Sequence, residues 1–294
     1  YFRNTDSIQR VTDNEMITPN DFDQFCVTAP TDSRLPNGGG YQICGLSAIQ
    51  PAAAARVPVN VVKSTSNFGE DIRRNHFFGF GVNARLPKGI RVGGGFDTGR
   101  STKNQCFAVD SKGIADFGMT QYTAGALFGS GYNLGQFGYG PATTINGQSI
   151  CDITTPSKAL AQLKANGSVP LPYDFMFSGI YQDLPGQVIE ARWASPMASN
   201  GNTLGRALAS GTSIPVPLVA PNALFEERIR RVDLRLTKYI NLTSKMRLQA
   251  NLDVYNAFNN NAVQVLNTAY GANWLQPLKV LDPRLFQISG MLTF

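Results

Sequence analysis

The chain has no stretch of about 18 apolar residues, which excludes a transmembrane helix. It is short of charge: Asp, Glu, Lys and Arg make up 16% of it, against roughly 25% in an ordinary soluble domain. It has a single histidine, His76, and no Cys-x-x-Cys pair, so a Cys/His zinc site cannot be assembled. It also lacks a run of basic residues. Arg73-Arg74, Arg228, Arg230-Arg231, Lys245 and Arg247 are interleaved with acids, and despite a net charge of +6 nothing would track a phosphate backbone. Nucleic acid is therefore not an expected partner. The sequence opens at Tyr1 with neither Met nor an export signal, and the expectation is that an amino-terminal portion precedes it.

Catalytic and cofactor motifs are equally scarce. His76 has no Ser or Cys nucleophile near it in sequence. Gly129-Ser130-Gly131-Tyr132-Asn133-Leu134-Gly135 has its third glycine misplaced for a phosphate loop and no following Lys-Ser/Thr. Asp21-Phe22-Asp23 offers calcium-ligand chemistry at a loop tip, but a solvated turn explains it as well. Asn166-Gly167-Ser168 and Asn241-Leu242-Thr243 match only the glycosylation pattern. Asp233 and Asp253 could form a glycosidase-like carboxylate pair. Arg231, Arg235 and Arg247 between them favour ion pairs instead. The expectation is a protein that is not an enzyme and needs no cofactor.

What the chain does have is glycine and aromatic rings: 29 Gly, 18 Phe and 10 Tyr. That composition favours strands and long loops. Mean hydropathy is only −0.14, yet segments of about ten residues alternate with period two, the unit of a membrane β-strand. Phe78, Phe80, Val82, Ala84 and Leu86 alternate with Gly79, Gly81, Asn83 and Arg85 before a turn at Pro87-Lys88-Gly89. Ile90, Val92, Phe96 and Thr98 continue on the return strand. Val232, Leu234 and Leu236 alternate with Arg231, Asp233, Arg235 and Thr237, and Met246 to Val254 repeats the pattern against Arg247, Gln249, Asn251 and Asp253. Leu171 to Gln182 is a less clean strand. Ser157 to Val169 is assigned as a strand because a return path is needed, although Ser157 to Lys164 could equally be helical.

The turns at 87–89, 170–173 and 241–245 are short, whereas the connections at about 10–70, 102–156, 184–222 and 259–282 are long and rich in Gly, Pro, Asn and Ser. Such asymmetry is that of outer-membrane barrels. The four cysteines, Cys26, Cys44, Cys106 and Cys151, fall in long connections and outside the expected strands. Of the three possible pairings, Cys26–Cys44 with Cys106–Cys151 is favoured, four free thiols being the alternative. At the end, Phe286, Ile288, Gly290, Leu292 and Phe294 alternate with Gln287, Ser289, Met291 and Thr293. Such a final strand resembles the signal read by the barrel-assembly machinery, its terminal ring suited to a membrane interface.

From Ile214 onward the sequence resembles the closing strands of TonB-dependent outer-membrane receptors. The residues that carry this are Arg231-Val232-Asp233-Leu234-Arg235-Leu236-Thr237-Lys238, Asp253-Val254-Tyr255-Asn256-Ala257-Phe258-Asn259 and Leu281-Asp282-Pro283-Arg284-Leu285-Phe286, with Asn267 to Gly271 and Trp274 between. Upstream, Leu35 to Tyr41, Ser66 to Gly69 and Val82 to Gly89 look like the subfamily bearing a carboxypeptidase-regulatory-like domain. The resemblance implies an all-β, membrane-spanning antiparallel barrel of about 22 strands. Residues 1–294 would supply the carboxyl-terminal portion, about eight strands with long extracellular loops, the plug and earlier strands lying elsewhere. It implies import of a scarce solute across the outer membrane of a Gram-negative-type envelope, with lipid, the TonB complex and the barrel-assembly machinery as partners. Tyr41, Tyr132, Phe137, Tyr139 and Trp193 in the loops, and Arg231, Arg235 and Asn251 in the lumen, are the candidate solute-binding residues. Two rivals stand beside this reading: a small structural or adhesive barrel, and a secreted β-sandwich binding module.

Overall fold

A computed structural model describes residues 1–6, 10–104, 106–107, 114–116, 139–140, 144–196, 202–209 and 211–294. Its framework is one antiparallel meander of eight strands in chain order. These are β1 (Phe2–Asp6), β2 (Ile72–Arg85), β3 (Arg91–Asn104) and β4 (Gln162–Leu171). They continue as β5 (Phe175–Leu184), β6 (Ile229–Asn241), β7 (Arg247–Tyr255) and β8 (Leu285–Thr293). A ninth, Asp152–Thr155, lies beside the far end of β3. Among the described residues β1 and β8 each pair on one side only, so the sheet is open and these strands form no closed barrel by themselves.

Register sorts side chains by polarity. One row across seven strands runs Arg85, Arg91, Ser168, Ser178, Arg235, Asp253, Gln287. The neighbouring row, one residue along and on the opposite face, runs Ala84, Val92, Gly167, Gly179, Leu234, Val254, Phe286. Period-two alternation therefore holds in step from strand to strand. The apolar face is bare: Phe80 is 70% and Ile288 84% exposed. The polar face is covered along β6 and β7, with Thr237 at 1% and Asp253 at 3%, while Arg85, Arg91 and Gln287 on the same face are exposed.

The short turns lie at one end of the sheet. Lys88 and Gly89 adopt positive φ, as do Tyr173 and Asp174. The second turn comes later than the sequence suggests. Pro170 still pairs with Met176, and it is tolerated because β4 has already run past its last partner on β3, Ser168 opposite Arg91. The expected strand from Ser157 is also corrected: Ser157–Leu160 forms one helical turn after Pro156, and extended pairing begins at Gln162. Lys158-Ala159-Leu160 are all good helix formers, and local propensity decides there. His76 lies inside β2, which begins at Ile72. β1, whose residues are largely polar, was not legible as a strand.

At the other end, the described parts of the long connections are not simple loops. They fold into a cap of short strand pairs: Phe22–Thr28 with Gln42–Ile49, Arg10–Asn14 with Asn60–Ser64, Arg192–Pro196 with Ser213–Pro217, and Val263–Leu266 with Pro277–Val280. Segments from all four connections share one core that includes Phe25, Ile43, Leu46, Ile150, Val216 and Trp274. Both favoured disulfides, Cys26–Cys44 and Cys106–Cys151, are formed. Cys26 and Cys44 sit on paired strands, a correction to their expected placement in strand-free loop.

Candidate functional site

Two surfaces could meet a solute: the polar face of the sheet and the cap above it. On the polar face, β6 and β7 carry Arg231, Asp233, Arg235, Thr237, Gln249, Asn251 and Asp253 at alternate positions, and these side chains bond to one another and to their neighbours. Arg235 grips Asp253 through Nε at 2.5 Å and Nη2 at 3.1 Å. Arg231 Nε donates to Asp233 Oδ1 at 2.8 Å, and the same oxygen accepts the Asn256 backbone N–H at 2.8 Å. Thr237 donates to Asn251 Oδ1 at 2.8 Å while Asn251 Nδ2 donates to Ser289 at 3.2 Å. Arg231 also lies over the Tyr255 ring at 6.0 Å. So Arg231, Arg235 and Asn251 do share one face, each bonded to a side chain beside it. A buried polar layer of this kind is stable only when its donors and acceptors are satisfied.

In the cap, Tyr41 and Trp193 pack against the same core, well apart in sequence. Tyr41 donates its hydroxyl to the Leu218 carbonyl, and burial pushes its pKa up to about 12. Trp193 lies on a strand opposite Val216. Tyr139 is placed by its backbone opposite Ala48, and Tyr132 and Phe137 lie outside the described residues. The terminal-strand residues Phe286, Ile288, Leu292 and Phe294 all project from the apolar side or end of β8 and are exposed.

The cap also holds arrangements that no local pattern could announce. Asp32 and Arg34 from the first connection bracket the last one. Arg34 stacks on Trp274 at 5.3 Å, donates to the carbonyls of Trp274 and Gly271, and pairs with Asp32 at 2.7 Å. Tyr270 donates its hydroxyl to Asp32 at 3.0 Å. The Arg34 guanidinium holds the Asp32 carboxyl well below the usual range. Asp21 is held by Arg56 at 2.8 Å and by Thr18, which lower its pKa to about 2. Asp23 is held by Gln50 and Arg206. The Asp21-Phe22-Asp23 tip is thus neutralised by cations of its own chain rather than solvated. Among the described residues no group of three or more His, Cys, Asp or Glu could hold a metal ion.

No family model matches the chain, and no curated protein does. Among solved structures it is similar to the outer membrane transporter YddB of Escherichia coli. The TM-score is 0.46 at 10% sequence identity, and the likeness covers 99% of this chain and 29% of that one. The chain thus spans less than a third of that protein's length. A likeness this distant identifies no family.

Proposed function

We propose that the meander is part of the wall of a membrane-spanning β-barrel, with the cap on the outer side, in a protein that imports a solute across an outer membrane. One observation carries this reading: the sheet bares its apolar side chains while it covers Thr237, Asn251 and Asp253 on its other face. In water that arrangement is upside down, since Phe80, Phe96, Leu236, Leu252, Ile288 and Phe286 would all sit in solvent. Next to lipid it is the expected order. Strand length agrees, for β4 and β5 have 10 residues and β7 and β8 nine. A tilted strand needs about 9–11 to cross the hydrocarbon.

Free strand edges cannot remain in hydrocarbon, where backbone groups find no water. β1 and β8 therefore meet further strands that close a larger cylinder. A small self-closed barrel would need them paired with each other. Import and energy coupling come from the sequence resemblance, with the cap as the surface that first meets the solute. The wall is tested by placing lipid-phase quenchable fluorophores at Phe80, Leu234 and Leu252 of the protein in vesicles. Quenching by acyl-chain-bound quenchers at all three is expected; quenching by aqueous iodide alone would refute the wall. Coupling is tested by uptake in cells whose proton gradient is collapsed, which should abolish accumulation while leaving surface binding intact.

A further inference from the structure

On the polar face, near the short turns, lies a cavity of about 450 Å³ lined by Asn83, Arg85, Arg91, Asn166, Ser168 and Ser178. Its floor is glycine for a reason. A Cβ on Gly93 would lie 2.5 Å from Asn83 Oδ1 and 2.6 Å from Asn166 Oδ1, so two carboxamides lean in over that residue from the flanking strands. Any side chain there would fill the hollow they border.

The charge in this cavity is unlike that elsewhere on the same face. In the row Arg85, Arg91, Ser168, Ser178, Arg235, Asp253, Gln287, the cation at Arg235 is matched by Asp253. At the other end of the row, Arg85 and Arg91 are direct cross-strand partners. Neither has an ion pair or hydrogen bond from its side chain to any described residue. Like charges directly opposite on an antiparallel pair repel. Nearby carboxylates do not relieve them: Asp233 is taken by Arg231, Asp183 by Arg228, and Asp97 lies over Gly79 further along the hairpin. Two unmatched guanidiniums and two hydroxyls beside a glycine floor make a cradle for an oxyanion, and the two carboxamide oxygens over that floor accept from donor groups next to it.

We propose that this cavity binds a polar solute through a carboxylate or phosphate group, the two guanidiniums taking the anion and the amides and hydroxyls its neighbouring polar groups. This deepens the import reading, on which it rests for the role of the inner face. The test titrates the protein in detergent micelles with inorganic phosphate, with glucose as the uncharged probe. Saturable phosphate binding is expected, weakened at least tenfold in Arg85→Gln/Arg91→Gln and less in Arg85→Lys/Arg91→Lys. Arg230→Gln, an exposed cation outside the cavity, should leave it unchanged. Single Arg85→Gln should melt no lower than the parent without phosphate, since it removes a repulsion. Absence of saturable binding, binding unchanged in the double variant, equal loss in Arg230→Gln, or a lower melting temperature in Arg85→Gln would each overturn the proposal. Detergent partition is scored on the same samples. Binding without partition would support the site and sink the membrane reading, whereas partition without binding would sink the site alone.

Discussion

Leu252 sits within an apolar row, Val169, Phe177, Leu236, Leu252, Ile288, that crosses five strands. Its side chain is exposed, so replacing it with Arg removes little packing and creates no cavity. The cost then depends on the solvent alone. In water, a surface substitution of this kind changes stability by under about 0.5 kcal/mol, and the Arg stem would lie along its apolar neighbours. In a bilayer, Arg near the midplane of a barrel strand costs about 2–4 kcal/mol, falling to about 0–1 near the interface. At about 1.4 kcal/mol per decade, the midplane cost is a roughly 30- to 700-fold loss in the folded ratio.

The same residues supply an internal control. Leu86 closes the end of β2 beside a short turn and is exposed to a similar degree. Leu252→Arg and Leu86→Arg are compared by urea-dependent folding into vesicles, read by tryptophan fluorescence and by heat-dependent gel migration. A gap of about 2 kcal/mol or more between them is expected, with Ile288→Arg behaving like Leu252→Arg. Equal effects below about 0.5 kcal/mol at all three positions would mean that this face meets water, and the wall reading would be wrong.

Further outcomes follow from individual contacts. Asn251→Ala strips the acceptor from Thr237, which is 1% exposed, and should cost about 1–3 kcal/mol in the same folding assay; an unmoved midpoint would show the ladder to be inert. Reducing the disulfides, which close separations of 18 and 45 residues, frees chain entropy worth about 3 and 4 kcal/mol. Limited proteolysis should then cut within the cap while β4 to β8 stay protected; equal cutting of both would contradict a separately cored cap. Asp21 has its pKa lowered from 3.8 to about 2 by Arg56 and Thr18. Its contribution is therefore complete above the ordinary value and lost as pH falls through that window. Hydrogen exchange of the cap between pH 5 and 2 should accelerate in the parent and not in Asp21→Asn, and parallel curves would refute the assignment.

Legibility from sequence followed the range of the forces involved. The hairpin from β2 to β3 and the strands β6, β7 and β8 could be read because an exposed apolar face and a polar one leave a period-two record in neighbouring residues. The disulfide pairing was readable for a similar reason, each bridge joining cysteines adjacent in order along the chain. β1 was not, since a five-residue polar segment gains its structure from pairing with β2. The cap was misread as loop because its Gly, Pro and Asn mark turns, while its core is assembled from residues as distant as Phe25 and Trp274. The Arg34–Trp274 bracket and the unmatched Arg85–Arg91 pair likewise depend on which strands become neighbours, and no window of local sequence records that.

The two parts of the molecule obey opposite rules, and that contrast limits what the surroundings can be. In the cap, Ile43, Leu46, Val216 and Leu218 are essentially inaccessible and the charged groups lie around them, as in any protein folded in water. In the meander, residues of the same chemistry, Leu252 and Ile288, are bare while Asp253 and Asn251 are covered. A single solvent cannot favour both at about 25 cal/mol per Å² of apolar surface. The proposed wall reconciles the two regions by leaving the cap in water and setting one face of the meander against lipid. That places a boundary where β2 to β8 enter the cap, and it puts Arg228 with Asp183 close to that line. A fluorophore whose emission reports polarity, moved stepwise along β6 on its apolar side from Ile240 through Leu236 and Leu234 to Arg230, should therefore pass from non-polar to aqueous emission as it nears the cap. A uniform reading along that strand would leave the inverted sheet without a physical cause.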